Sequence, residues 1–325
     1  MNERQPNREA LPAVIPLGPG LGTEALPPVW DPDYTRSDHR EDPRLAPLMA
    51  KLEEGYEILL TSEGFTAYLD MMATFHRYSP KNVLLIMAQR PDAELVASFD
   101  DWKHKHGRSV KKGERGIKIF YPMKKWVEEV DEETGEVARE LAVVGFGIGS
   151  VFDVKQTEGP ELPRRPQPSD AFGTSDVTGE LDRRLAAYAI GQGLTLESLP
   201  MPQWRGIYWP EKGAFGTIAI DRGLPADDGR LKTLAHEIAH HLAGHGKAPL
   251  LPIAEREPVA EGAAYVTLKH FGIDADGYTF PYIARYQQSP EAFKRALPQI
   301  QRVAGQLIAG IESTPTEPWH MADWL

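Results

Sequence analysis

Leu231-Lys232-Thr233-Leu234-Ala235-His236-Glu237-Ile238-Ala239-His240-His241-Leu242-Ala243-Gly244 is the stretch whose reading decides the rest of the chain. Leu231, Leu234, Ala235, Ile238 and Leu242 recur at three- and four-residue spacing, which predicts a helix with one apolar face and a glycine at its end. On that helix His236 and His240 are four apart and project from the same side, about 6 Å from one another, as two ligands of one metal ion require. Glu237 follows the first of them. This is the His-Glu-x-x-His pattern, in which two histidines hold zinc and the glutamate serves as general base.

The pattern is that of the zincins. Its longer metzincin form is absent, because position 243 is Ala and 246 is Gly where that form needs glycine and histidine. His245 therefore reads as a helix-end residue rather than a third ligand. The third ligand is expected from the next helix, Ala254 to Leu268, which carries Glu257 ahead of Pro258 and Glu261 one turn later on the same face. Glu257 is the expected ligand and Glu261 the reserve.

Ten histidines and no cysteine leave imidazole and carboxylate as metal donors and exclude disulfides, thiolate sites and thiol nucleophiles. No apolar run approaches the ~18 residues of a membrane span, and the polar start does not resemble a signal peptide, so the expectation is a cytoplasmic protein without a membrane partner. The net charge of −11 is unevenly spread. Residues 76–125 hold twelve Lys/Arg against five Asp/Glu, a net +7 that leaves −18 for the remainder. One basic surface on an acidic chain would confine any polyanion to that surface.

Residues 1–44 are rich in proline and lack periodicity, as expected of a disordered tail. Helices are expected from Leu45, over Gly64 to Phe75, and over 80–89, where Ser79-Pro80 supplies an N-cap and a first-turn proline. A short helix around Trp102 precedes a strand at Ile117–Tyr121, a hairpin of Trp126–Val130 with Val137–Ile148, and a last strand at Val151–Val154. Prolines between Glu158 and Asp176 mark a linker. Beyond it, a helix near Val177–Gln192, a strand pair at Arg205–Trp209 and Phe215–Asp221, the two metal helices, and helices at about 280–288 and 290–311 are expected. The fold class is α+β in two domains. The divisions are 1–44 tail, 45–155 N-terminal helical and antiparallel-sheet domain, 156–175 linker, 176–313 mostly helical domain with a small sheet, and 314–325 tail.

Trp102 to Gly113 places five Lys/Arg and an indole within twelve residues, and Arg115, Lys118, Tyr121, Lys124, Lys125 and Trp126 continue the mixture. Cations follow phosphates and aromatic faces stack on unpaired bases, so the segment suits single-stranded nucleic acid. The expected contacts include Trp102, Lys103, Arg108, Lys111, Lys112, Arg115 and Lys118.

Tyr78-Ser79-x-x-Asn82-x-x-Leu85-Ile86-x-x-Gln89, Trp102, Gly107-Arg108-x-Val110-Lys111-Lys112-Gly113, Gly116-Ile117-x-Ile119 and Val151-Phe152-Asp153-Val154-x-Gln156-Thr157 resemble the N-terminal domain of ArdC-type antirestriction proteins. The His-Glu-x-x-His helix, Glu257-x-x-Ala260-Glu261-x-x-Ala264-Tyr265 and Phe271-Gly272-Ile273-Asp274 are similar to the same family's C-terminal half. The resemblance spans about residues 45–310. It implies a single-stranded DNA-binding domain, with Asn82 and Gln89 among its contacts, joined to a zincin-like metallopeptidase domain of the kind also seen in ImmA/IrrE proteins. It further implies Zn2+ on His236, His240 and Glu257, Glu237 as catalytic base, a protein substrate, and a mobile-element role in shielding DNA from restriction. Tyr208, Tyr265 and Tyr282 are each open as stabilisers of an oxyanion. Two other readings stand beside this one: a DNA-binding protein with a structural or vestigial metal site and no proteolysis, and a regulatory metalloprotease that cleaves a repressor.

Overall fold

The computed structural model describes residues 43–130, 137–162, 172, 174, 176–225, 227–246, 251–273 and 290–314. The expected N-terminal tail, the centre of the linker, the helix at 280–288 and Tyr282 lie outside the described residues.

Three helices open the fold: α1 (Leu45–Ile58), α2 (Ser62–Thr74) and α3 (Pro80–Gln89). The Thr61 side chain caps α2 by accepting from the Gly64 N–H, and Ser79 caps α3 by accepting from the Asn82 N–H. Then come β1 (Val96–Ser98), the short α4 (Phe99–His104) and β2 (Ser109–Val110). The expected separate strand and hairpin are instead one long ladder, β3 (Ile117–Val130) against β4 (Val137–Asp153), with a register shift between Met123 and Lys124. The Tyr121 ring lies across Gly147, where an added Cβ would come within 2.6 Å of it. β1 pairs with the other edge of β4, and β5 (Thr157–Glu158), at the start of the expected linker, pairs with β2.

The outer edge of β3 is closed by two side chains of α3. The Asn82 amide donates to the Phe120 carbonyl at 2.8 Å and accepts from the Phe120 N–H at 2.9 Å. Gln89 does the same at Lys118, donating to its carbonyl at 2.9 Å and accepting from its N–H at 2.9 Å. Each amide mimics a neighbouring strand, satisfying groups that an edge would leave open.

The second half contains α5 (Val177–Gly191), β6 (Thr195–Leu199), β7 (Gly206–Trp209), β8 (Thr217–Asp221), α6 (Asp228–Leu242), α7 (Ile253–His270) and α8 (Pro290–Ser313). Its sheet has the order β6-β8-β7, with β7 antiparallel and β6 parallel to β8. The antiparallel pair is the one expected from the sequence, whereas β6 was not anticipated. The chain is thus mixed α and β with small sheets. No helix among the described residues is long and apolar enough to cross a membrane.

The buried apolar residues of the two halves form one connected cluster. Polar links run between them as well. Tyr265 of α7 donates to Asp70 Oδ1 on α2 at 2.8 Å, His270 lies 3.2 Å from the Ala73 carbonyl, and Lys294 of α8 pairs with Glu53 of α1 at 3.1 Å.

His76, just past α2, is half-buried against His270, with ring centroids 4.7 Å apart. Burial, then the charges of His270 and Arg77, lower its pKa from 6.5 to about 4, against a smaller opposing pull from Glu312. An unfolded chain takes up this proton near 6.5 and the folded chain only near 4. The neutral ring therefore contributes stability that is fully present above 6.5 and lost as the pH falls toward 4. The urea midpoint should drop across that window, and drop less in His76→Gln; identical acid profiles would remove His76 from the account.

Candidate metal centre and basic surface

α6 begins at Asp227, whose carboxylate accepts from the N–H groups of Gly229 and Arg230 at 2.9 and 3.2 Å. Leu231, Leu234, Ala235 and Ile238 are fully buried, which fixes the rotation of the helix and turns His236 and His240 toward α7. Their Nε2 atoms are 3.0 Å apart. Glu257 of α7 completes the group, with Oε2 3.4 Å from His236 Nε2 and Oε1 3.6 Å from His240 Nε2. Among the described residues this is the one set of three donors that converges, all within 4.8 Å of one another.

The set fits a zinc ion. With Zn–N and Zn–O bonds of about 2.0–2.1 Å, two ligands of a tetrahedral site stand about 3.3 Å apart. The observed separations of 3.0, 3.4 and 3.6 Å bracket that value. Two imidazoles and one carboxylate would leave the fourth position of a tetrahedral ion to another ligand.

Glu261 stands apart from this triangle. Its Oε1 lies 3.7 Å from the outer nitrogen of His236, Nδ1, and its Oε2 lies 3.5 Å from Lys232 Nζ. The reserve ligand is therefore placed behind a ligand. Pro258 also differs from expectation. α7 starts at Ile253, so the proline is inside the helix rather than in its first turn, and residue 258 cannot donate the usual helix bond to the Ala254 carbonyl.

Glu237 is 7% exposed and accepts from the backbone N–H of Tyr208 on β7. Burial pushes its pKa up to about 7, with Glu257 and Glu261 adding to the rise and His236 opposing it. Burial also pulls the Glu257 carboxyl upward, but hydrogen bonds from His236 and His240 outweigh it and hold the group well below the usual carboxylate range. Three carboxylates, Glu237, Glu257 and Glu261, stand around the histidine pair, an environment that attracts a cation. β7 passes close to this face of α6. A Cβ on Gly206 would come within 2.5 Å of Thr233 Cγ2 and 3.2 Å of the Glu237 side chain, so the approach requires glycine.

Of the tyrosines, Tyr265 is 1% exposed with its hydroxyl on Asp70, which removes it from the centre. The Tyr208 hydroxyl is 3.0 Å from His241 Nδ1. His245, read from the sequence as a helix end, has its Nδ1 2.7 Å from His240 Nδ1. Burial, then the charges of His240 and Arg256, bring its pKa down to about 4.

The residues expected to contact nucleic acid divide into two groups. Trp102 is fully buried and donates its indole N–H to the Phe152 carbonyl at 2.8 Å, which leaves no face for a base. Arg108 is held by Thr157, donating to Oγ1 at 2.8 Å and to the carbonyl at 3.1 Å, and it also donates to Pro160. Asn82 and Gln89 are occupied at the β3 edge, as above. These four serve the fold; short polar and aromatic residues in a motif satisfy backbone as readily as they meet a ligand. Lys103, Lys111, Lys112, Arg115 and Lys118 are exposed, although Lys111 donates to the Lys155 carbonyl and Lys118 to Ser150. Phe99 is exposed at 52%, and two exposed aromatics lie further along β3, Tyr121 at 46% and Trp126 at 69%, flanking exposed Lys124 and Lys125.

The geometry defines a helix-borne donor set of two histidines and a glutamate and, in the other half of the chain, a long strand ladder with exposed lysines and aromatics. Residues 46–152 match the family model for the N-terminal domain of anti-restriction factor ArdC, from α1 almost to the end of β4. An uncharacterized protein of Bacillus anthracis is 26% identical over 273 residues, covering 74% of this chain and 46% of that protein. The chain thus spans about half the length of the curated relative it matches. Two crystal structures of the antirestriction ArdC protein from the R388 plasmid are similar in part. The metal-free one is 19% identical, with a TM-score of 0.44, over 73% of this chain and 86% of that one. The Mn(II)-bound one is 17% identical, with a TM-score of 0.49, over 81% and 99%. Similarity at that level transfers no residue role.

Replacing Glu257 by Ala should abolish stoichiometric zinc uptake, because it removes one of three donors. Glu261→Ala should retain one ion per chain. Metal analysis of the two purified variants distinguishes the assignments; the opposite pattern would make Glu261 the ligand.

Proposed function

We propose that this chain is an antirestriction-type protein that engages single-stranded DNA through residues 45–155 and carries a zinc metallopeptidase-like centre in residues 176–313. The convergence of His236, His240 and Glu257 within 4.8 Å, with Glu237 beside them, carries the metal half of this reading. The match of residues 46–152 to the ArdC N-terminal domain and the net +7 of residues 76–125 support the DNA half.

In this reading His236 and His240 offer Nε2 and Glu257 offers a carboxylate oxygen to the ion. A zinc ion held there would supply Lewis acidity to a carbonyl oxygen and to water. Glu237, next to the first ligand, takes up the proton released as water attacks, and later delivers it to the leaving amine. Its hydrogen bond from the Tyr208 N–H keeps the carboxylate beside the site. β7 is an edge strand, and its Tyr208 N–H reaches Glu237 of α6. An extended peptide pairing with that edge would lie across the centre.

On the DNA side, Tyr121 and Trp126 offer the stacking faces that buried Trp102 cannot, and the exposed lysines of β3 and of the 103–118 segment offer phosphate contacts. The chemistry is sequence-tolerant, since every base has a face to stack.

Glu237→Gln should keep zinc bound and lower hydrolysis of a degenerate fluorogenic peptide library by about 10²-fold or more, the usual worth of a general base. A variant that cleaves as fast as the wild type sinks that role. Fluorescence anisotropy of the full chain should show tighter binding to single- than to double-stranded oligonucleotides, weakening with salt. Trp126→Ala and Tyr121→Ala should each weaken it by about 1–3 kcal/mol, whereas no binding at low salt would overturn the DNA reading.

A further inference from the structure

α6 ends in a turn that has a specific consequence for His240. Ala243 closes the helix and Gly244 follows at a φ of 72°, the left-handed conformation that glycine adopts without strain. The His245 N–H then donates back to the His240 carbonyl at 3.0 Å, and the Gly244 N–H to the His241 carbonyl at 2.9 Å. These two bonds form a Schellman motif, whose geometry brings the side chain after the glycine against the side chain one turn inside the helix. That contact is usually apolar. Here both partners are histidines. Gly246, the next residue, is pressed against Pro210, where an added Cβ would stand 2.1 Å from its Cβ, so the turn is held from outside as well.

The two imidazoles meet through Nδ1 atoms 2.7 Å apart, and His245 is only 4% exposed. Nitrogens at that distance are hydrogen-bonded, so one carries the proton and the other accepts it. His240 turns its second nitrogen, Nε2, toward His236 and Glu257. A metal ligand needs a bare lone pair on Nε2, and a neutral imidazole with a bare Nε2 carries its proton on Nδ1. His240 must then be the donor and His245 the acceptor. In the reverse arrangement a hydrogen on His240 Nε2 would point at the other two ligands and close the site to a cation.

We infer that His245 is a positioning residue for the metal centre, accepting the Nδ1–H of His240 so that Nε2 stays bare and aimed at the ion. The inference rests on the metal reading above. His245 cannot itself bind the same ion, because it touches the far side of the His240 ring. The role usually taken by a carboxylate or a backbone carbonyl behind a ligating histidine falls here to a second, neutral histidine. The two ligands are consequently supported differently: His236 has a carboxylate, Glu261, 3.7 Å behind it, and His240 has an uncharged acceptor at 2.7 Å.

The test is the zinc affinity of the full chain, measured by competition with a chromophoric chelator, for the wild type and for His245→Ala, His245→Leu and His245→Asn. Asparagine places Oδ1 where the histidine has Nδ1 and can accept; leucine fills the space and cannot. Ala and Leu should weaken zinc about 10- to 100-fold, the usual effect of losing such a partner, and Asn should restore affinity to within a few-fold. Should Ala fail to fold, judged by circular dichroism of the metal-free chain, the Leu and Asn pair decides. Wild-type affinity in Leu, or an Asn variant as weak as Leu, overturns the inference while leaving the metal centre standing. A wild-type chain that takes up no zinc overturns the metal reading, and the inference with it.

Discussion

The burial of α7 is the constraint on which the rest of the structure depends. From Val259 to Leu268 every residue of this helix is buried, so it is enclosed on all sides rather than laid on a surface. Small residues make that enclosure possible. Gly262 meets Ile300 of α8 so closely that an added Cβ would come within 2.8 Å, while Ala260, Ala263 and Ala264 have no exposed surface. A helix so enclosed cannot carry an ionisable group without partners. Glu261 has them in Lys232 and His236, both on α6. The packing that buries α7 thus also orients it, and the side chain one turn before Glu261 is delivered to the histidine pair.

Much of this was legible in one dimension. Ser79-Pro80 announces α3, and the spacing of Leu231, Leu234, Ala235 and Ile238 announces the face that α6 buries, which leaves the histidines on the side facing α7. Glu257 follows because a third donor was needed and the next helix offered two. What was not legible depends on contacts between distant segments. Strand β6 lies parallel to β8, so no turn joins the two and no local alternation marks it. The pairing of β3 with β4 sets a tyrosine ring across Gly147, a fit visible only once the register is known.

The nucleic-acid residues show a different limit. Asn82, Gln89, Trp102 and Arg108 were drawn together by a shared motif and by residue types that suit a ligand. Each instead satisfies backbone: Asn82 and Gln89 at β3, Trp102 at Phe152, Arg108 at Thr157 and the loop beyond it. Buried amides, indoles and guanidinia must find partners somewhere, and a small sheet with an open edge offers many. Charge and exposure separate the two roles better than residue type does. The lysines of the 103–125 segment are exposed, and so are Tyr121 and Trp126 within it or next to it.

The position of Pro258 bears on how firmly the metal donors are held. The body of α7 is clamped, with Tyr265 bonded to Asp70 on α2 and Gly262 against α8. Its first turn and a half, Ile253 to Pro258, is only partly buried, and the helix bond that would tie Ala254 to residue 258 is missing. Glu257 sits in that looser turn, one residue before the clamped part begins. His236 and His240 have no such freedom, because the face of α6 opposite them is wholly buried and the turn beyond His240 is closed by its own hydrogen bonds. The donor set therefore joins two rigid nitrogens to one carboxylate on a less constrained turn. A site built this way can admit an ion past its one adjustable ligand without disturbing the packing that fixes the other two.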